Sequence, residues 1–296
     1  MPNAGTYFMA SSISPTDLIL HNDGSVYHLN LRPEHIGDTV IAVGDPNRVF
    51  QVSRYFDHVE FEMNQREFIT HVGTLRGKRV TVISTGIGTD NIEIFLTELD
   101  ALVNIDLETR EVKKNHRKLN IIRIGTSGAL QEDIGVGSHL VSRYGIGFDN
   151  LMQFYQLEQT PFELDLAADI RKALTLPFIP YVVESSRLLL EQIGGSMREG
   201  NTITAPGFYA PQGRQIRVPI RFPKLLEDLN HYHYKPSNFW LTNFEMETAG
   251  YYAFGRLLGH DMLSVNAIIA NRIRNEFSPQ PLKAVDELIK HVLERL

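Results

Sequence analysis

The chain has 296 residues, 43% of them hydrophobic and 22% charged, a composition that excludes a disordered, collagenous or coiled-coil protein. Its formal net charge of −6 argues against nucleic acid as a partner, because that recognition neutralises many phosphates. The absence of cysteine excludes disulfides, thiolate nucleophiles and cysteine-bound zinc or iron–sulfur centres.

The N-terminal stretch MPNAGTYFMASSISPTDLIL carries neither Lys nor Arg and no uninterrupted apolar core, so it does not read as a secretion signal. No apolar run approaches the ~18 residues of a membrane span. Residues 1–25 are expected to form a poorly ordered N-terminal extension, followed by one domain over 26–296, in a cytoplasmic protein that acts on no membrane. Thr39 to Val43 (TVIAV) predicts a buried strand, turned by Gly44-Asp45-Pro46 into the helix NRVFQVSRYF. Further strands are expected at Phe68 to Leu75, Arg79 to Thr85, Leu119 to Gly125 and His139 to Tyr144. Helical patterns cover Asn91 to Leu102, Leu164 to Leu174 and Thr248 to Leu258. The strand MLSVNAIIA and a terminal helix from Pro281 to Leu296 close the chain. Interleaving of this kind indicates an α/β class, and the adjacent early strands imply a mixed sheet. Glu108 to Lys118 carries five basic and two acidic residues and reads as a solvated loop or helix end.

Several of these strands end in glycine clusters: Gly44-Asp45-Pro46, Gly86-Ile87-Gly88 and Gly125-Thr126-Ser127-Gly128. Ligands of α/β sheets sit beyond strand ends, where glycine lets backbone N–H groups approach them, although each cluster alone is also a plain tight turn. The chain has no Walker A sequence, no GxGxxG and no GxSxG. Arg48, Arg66 and Arg123 lie close to the turns. An arginine inside an apolar strand, as Arg123 is, must meet an anion or a carboxylate. Three arginines beside glycine turns favour phosphate. Glu245-Met246-Glu247 precedes a helix, where the carboxylates serve either the helix dipole or the vicinal hydroxyls of a sugar. The eleven histidines show no HExxH spacing, and His231-x-His233 reads as a loop, so no metal site is expected.

In this order, VYHLNL (26–31), VGDPNRV (43–49), QREF (65–68), STGIG (84–88), IRIGTSGAL (122–130), FYAPQGR (208–214), NFEMET (243–248) and NAIIANR (266–272) resemble the nucleoside phosphorylase family, and its uridine phosphorylase branch in particular. The resemblance implies a single α/β/α sandwich around a mixed, barrel-like sheet. It also implies phosphorolysis of uridine to uracil and ribose 1-phosphate. Gly44, Arg48, Arg123 and Thr126 would hold phosphate, joined by Arg66 from an adjoining subunit of a homodimer or trimer of dimers. Met246 and Glu247 would bind the ribose, Glu247 taking the 2′ and 3′ hydroxyls, while His28 reaches across the interface to the 5′ hydroxyl. Ser127, Gly128 and Phe208 would line the base, and Gln212 and Arg214 would read the uracil carbonyl and N–H edge. Arg123, Thr126, Gln212, Arg214 and Glu247 would carry the catalysis. No cofactor is implied beyond phosphate, itself a co-substrate. The family's interface potassium site is matched at Glu67 and Ile87, but Asn91 stands where bacterial uridine enzymes have serine.

The chain departs from the family pattern at Ala210-Pro211, where many relatives have glycine before the glutamine, and at 105–118, which has no aligned counterpart. The competing readings are a purine phosphorylase or nucleosidase of the same family and a non-catalytic nucleoside-binding protein. Purine relatives place an aspartate after the last core strand to protonate N7. Here that strand ends Ala270-Asn271-Arg272, and an amide is no general acid.

Overall fold

The computed structural model describes residues 12–296. Strand β1 (Thr39–Val43) is a β-branched run buried from Val40 onward, as a central strand covered on both faces must be. Asp45 caps helix α1 (Pro46–Ser53) by accepting the Asn47 backbone N–H at 2.9 Å. Pro46 occupies the first turn, where no N–H is needed. An antiparallel ribbon of β2 (His58–Gln65), β3 (Phe68–Leu75) and β4 (Lys78–Ser84) follows, and β4 returns parallel to β1. After α2 (Thr89–Asn104) come β5 (Asn120–Ala129), β6 (His139–Gly147), α3 (Pro161–Ala173), β7 (Tyr181–Glu184) and α4 (Arg187–Ile193). The chain continues through β8 (Arg198–Thr204), α5 (Leu225–His231), β9 (Asn243–Glu245) and α6 (Thr248–Leu258). It closes with β10 (Asp261–Asn271), β11 (Glu276–Phe277) and α7 (Pro281–Glu294).

The strands form one mixed sheet in the order β11-β10-β6-β8-β9-β5-β1-β4-β3-β2, with β7 on β6. A second pairing of β10, with β5, closes β5, β10, β6, β8 and β9 into a small barrel, and β1 to β4 extend from it as an open wing. Helices α2 and α6 cover one face through Phe95, Leu99, Tyr252 and Phe254. Helices α1, α4 and α7 cover the other through Val49, Val52, Ile193 and Leu288. The expected sandwich about a barrel-like sheet is the observed architecture.

Of the segment expected as an N-terminal extension, residues 1–11 lie outside the described residues. The remainder is tied to the body. The Ile13 N–H donates to the Arg110 carbonyl at 2.8 Å, the Arg110 guanidinium donates to the Leu18 carbonyl at 2.6 Å, and Leu18 is buried. Arg110 belongs to the charged stretch 108–118. That stretch is a loop with a short hairpin, Ile105–Asp106 against Glu111–Val112, its other charges exposed or half-buried.

Candidate active site

Strands β4, β1 and β5 run parallel side by side, so their carboxyl ends open together. The three glycine clusters therefore meet there and line a single cavity of about 800 Å³. Two glycines have a specific task. A Cβ on Gly125 would come within 2.1 Å of the Arg123 Nη1, so only glycine leaves that guanidinium its place. Gly88 has φ +99°, which aims its N–H at Glu247 Oε1, 2.8 Å away.

Arg123, Glu245 and Glu247 are each at most 6% exposed. Arg123 Nη2 meets Glu245 at 2.8 Å and Glu247 at 2.5 Å, while Nη1 donates to Asn266 Oδ1 at 3.0 Å and Ser264 Oγ at 3.2 Å. Burial alone would lower the Arg123 pKa, but the two carboxylates outweigh it and hold the guanidinium above its ordinary value. Burial pushes Glu247 above the ordinary glutamate value of 4.5, against the pull of Arg123. Glu245 also caps α6, accepting the backbone N–H groups of Glu247 and Thr248 and the Thr204 hydroxyl.

Arg48 differs. Its Nη1 donates to the Ile124 carbonyl at 3.1 Å, and among the described residues no carboxylate pairs with it. Burial, and then the like charge of Arg123, lower its pKa. Of the expected phosphate ligands, Gly44, Arg48, Arg123 and Thr126 all line the cavity, as do the sugar candidates Met246 and Glu247.

Ser127, Gly128, Phe208, Gln212 and Arg214 line the same cavity. Arg214 Nη1 bridges the Phe208 carbonyl and Gln212 Oε1, both at 2.6 Å, and its guanidinium lies 3.8 Å over the Phe208 ring. Arg272 donates to the Gln212 carbonyl at 3.1 Å and sits over Phe244, so two arginines converge here. Burial, and then Arg272, bring the Arg214 pKa down to about 10. Asn271 lines the cavity, but its amide is spent within the chain. Nδ2 donates to the Gln131 and Ile134 carbonyls, and Oδ1 accepts the Ile273 and Arg274 N–H groups.

His28 and Arg66 do not line this cavity. They share another surface around Tyr27: Arg66 lies 5.5 Å over that ring, and His28 meets it edge-on at 4.9 Å. The Glu98 carboxylate takes the backbone N–H groups of His28 and Leu29 and faces His28 Nδ1 at 2.6 Å. Arg66 sits in the turn between β2 and β3 with φ +53°. Glu67 and Asn91 both approach Gly86, and the Asn91 amide nitrogen is directed at the Ile87 carbonyl at 3.4 Å.

Arg272 is a functional candidate missing from the sequence reading, and Glu245 was weighed there only together with Glu247, with no role of its own. Each had a signal: Glu245 stands two residues from Glu247, and Arg272 ends an apolar strand as Arg123 interrupts one.

The chain matches the family described as Phosphorylase superfamily over residues 38–295. The uridine phosphorylase of Thermococcus kodakarensis is 29% identical over 258 residues, 86% of this chain and 80% of that one. A DeoD-type purine nucleoside phosphorylase of Colwellia psychrerythraea is 26% identical over 239 residues, 80% of this chain and 84% of the relative. Among solved structures, a Trypanosoma brucei nucleoside phosphorylase, described as showing uridine phosphorylase activity, superposes with a TM-score of 0.86 at 30% identity, over 95% of this chain and 99% of that one. Fold, cavity and sequence thus agree along almost the whole length, and the chain belongs to the phosphorylase superfamily.

Proposed function

We propose that the chain is a uridine phosphorylase, a pentosyltransferase that converts uridine and phosphate reversibly to uracil and ribose 1-phosphate in pyrimidine salvage. One observation carries the reading. The cavity holds an arginine without a carboxylate, Arg48, beside Arg123 at one end, and the Gln212–Arg214 pair at the other.

Cleaving an N-glycosidic bond develops positive charge on the ribose and negative charge on the departing base. Phosphate held by Arg48, Arg123, Gly44 and Thr126 supplies both nucleophile and counter-charge, largely by positioning. Glu247 accepts the sugar hydroxyls while Gly88 and Arg123 fix its two oxygens. Met246 borders the ribose, and Phe208 and Gly128 border the base. Gln212 Oε1 has two lone pairs: one takes the Arg214 N–H, and the other is open to a uracil N3–H. The Arg214 charge stabilises the uracil anion as it leaves. Cytosine has no N3–H, and Asn271 has no proton for a purine N7. Phosphate is a co-substrate, and the step needs no cofactor.

The assembly we propose is a homodimer or trimer of dimers with shared sites. His28 and Arg66 support it, since both sit on one surface outside their own chain's cavity. Among the described residues no helix is long and apolar enough to cross a membrane. We place the enzyme in the cytoplasm, since a chain without cysteine needs no oxidising compartment.

The test is catalytic efficiency on uridine, cytidine and inosine with one preparation. Uridine should lead cytidine by ~10⁴ or more, the discrimination reached by sites built around hydrogen bonds. Inosine equal to uridine would overturn the pyrimidine assignment and leave the phosphorylase reading standing.

A further inference from the structure

A chain of buried hydrogen bonds runs once around the inside of the barrel. It starts at Arg123 on β5, whose Nη1 donates to Asn266 Oδ1 on β10 at 3.0 Å. Asn266 Nδ2 reaches Ser142 Oγ on β6 at 3.2 Å, and Ser142 Oγ meets Thr202 Oγ1 on β8 at 2.6 Å. Thr202 meets Asn243 Oδ1 on β9 at 2.9 Å, and Asn243 Nδ2 meets Ser127 Oγ, back on β5, at 2.9 Å. None of these residues is more than 5% exposed.

The direction of every proton follows from the first. A guanidinium only donates, so the Asn266 oxygen must face Arg123 and its amide N–H must face Ser142. Ser142 accepts from Asn266, and because a buried hydroxyl proton needs an acceptor and Thr202 Oγ1 is its one remaining partner among the described residues, Ser142 gives that proton to Thr202. Thr202, accepting there, must donate to Asn243, which fixes the Asn243 oxygen toward Thr202 and its N–H toward Ser127. The Ser127 oxygen is thus occupied as an acceptor, while its proton has no partner among the described residues. Ser127 lines the active cavity between Arg123 at the phosphate end and Gly128, which lies against Phe244 and Arg272 at the base end. Aligned donors polarise one another, and a cation at the head of the chain strengthens the last.

We infer that Ser127 is an obligate hydrogen-bond donor to a carbonyl oxygen of the departing base, and that Asn243 is the positioning residue that keeps it so. This rests on the phosphorylase reading above. As the bond from sugar to base breaks, its electron pair moves onto the base, and the Ser127 proton faces the growing charge. The circuit starts and ends on β5, so phosphate on Arg123 and the base beside Ser127 are joined through every strand of the barrel.

The test compares uridine with 5-fluorouridine, whose leaving base is more acidic and bears its charge with less help. Ser127→Ala should lower kcat on uridine by about 10- to 100-fold, below the ~10²–10³ of a full oxyanion-hole donor, with a smaller change in KM. The loss on 5-fluorouridine should be clearly smaller, and Ser127→Thr, which keeps the hydroxyl, should restore most of the rate. Asn243→Asp offers Ser127 an acceptor and turns its proton away from the base, so it should resemble Ser127→Ala, with the double variant no worse than the more impaired single one. If the aspartate variant does not fold, the alanine and threonine variants at Ser127 still decide the matter. Equal losses on the two nucleosides would overturn the donor role. A wild-type protein inert on both would overturn the phosphorylase reading, and this inference with it.

Discussion

Replacing Arg48 by alanine separates its binding role from any role in holding the fold. Among the described residues the Arg48 guanidinium has one hydrogen-bond partner, the Ile124 carbonyl at 3.1 Å, and its pKa is lowered by burial and by Arg123. The sign follows directly: a cation whose pKa falls on folding holds its proton less readily in the folded chain, so its charge works against folding wherever both states are charged. Arg48→Ala should therefore melt, without phosphate, at or slightly above the wild-type temperature. With phosphate the order reverses. Losing charge-assisted hydrogen bonds worth about 1.5–3 kcal/mol weakens phosphate binding by roughly 10- to 150-fold at 1.4 kcal/mol per decade. Phosphate at 100 times its wild-type Kd adds about 2.7 kcal/mol to the wild type, or roughly 5 °C for a chain of this size. A variant binding 100-fold more weakly gains only about 0.4 kcal/mol at the same concentration. Melting curves over a phosphate series, with the KM for phosphate beside them, read both quantities. Arg123→Ala is the control of opposite sign: it strands Glu245 and Glu247 and should cost about 3–5 kcal/mol before any ligand is added. An Arg48→Ala protein that melts several degrees lower without phosphate, or keeps the full phosphate shift, would refute this reasoning.

Glu247 should set the acid limb of activity. Its raised pKa means the charge is lost as pH falls through a value above 4.5, so kcat/KM should begin to drop there, and the limb should vanish in Glu247→Gln. Asn271→Asp should not create a purine phosphorylase; it removes two donors from buried carbonyls and should cost about 2–6 kcal/mol at ~1–3 each, seen in urea unfolding, with inosine turnover unchanged. Mixing inactive Arg66→Ala and Arg48→Ala proteins under subunit exchange should restore part of the activity, because one site of a mixed dimer then holds intact groups from both chains. Full activity of an isolated monomer in the ultracentrifuge would contradict this.

The elements legible in the sequence were those with buried β-branched runs or clear ends. Phe68–Leu75 and Thr248–Leu258 fall where their patterns place them. Strand β2 escaped notice although Val59, Phe61 and Met63 alternate with polar neighbours, because its half-buried face has no continuous apolar run. Strand β8 (REGNTIT) was missed for a deeper reason: its inward residues Thr202 and Thr204 serve a polar barrel interior, and buried threonines look like loop residues to any hydrophobic pattern. For the same reason β5 runs past its expected end at Gly125 to Ala129, since closing the barrel extends its ladder with β10. In the site, glycine clusters and nearby arginines were readable locally. The pairing of Arg123 with Glu245, Glu247 and Asn266 was not, because segments more than a hundred residues away along the chain supply it. The placement of His28 and Arg66 came from resemblance alone, for nothing in their flanks marks them as residues for a neighbour's site.

The most direct test of the central claim is the product formed from uridine in phosphate buffer, followed by phosphorus NMR alongside uracil release. Phosphorolysis predicts one equivalent of ribose 1-phosphate for each uracil and no uracil when phosphate is left out. Uracil released at the same rate without phosphate, with free ribose as the sugar product, would make the protein a hydrolase and contradict the account.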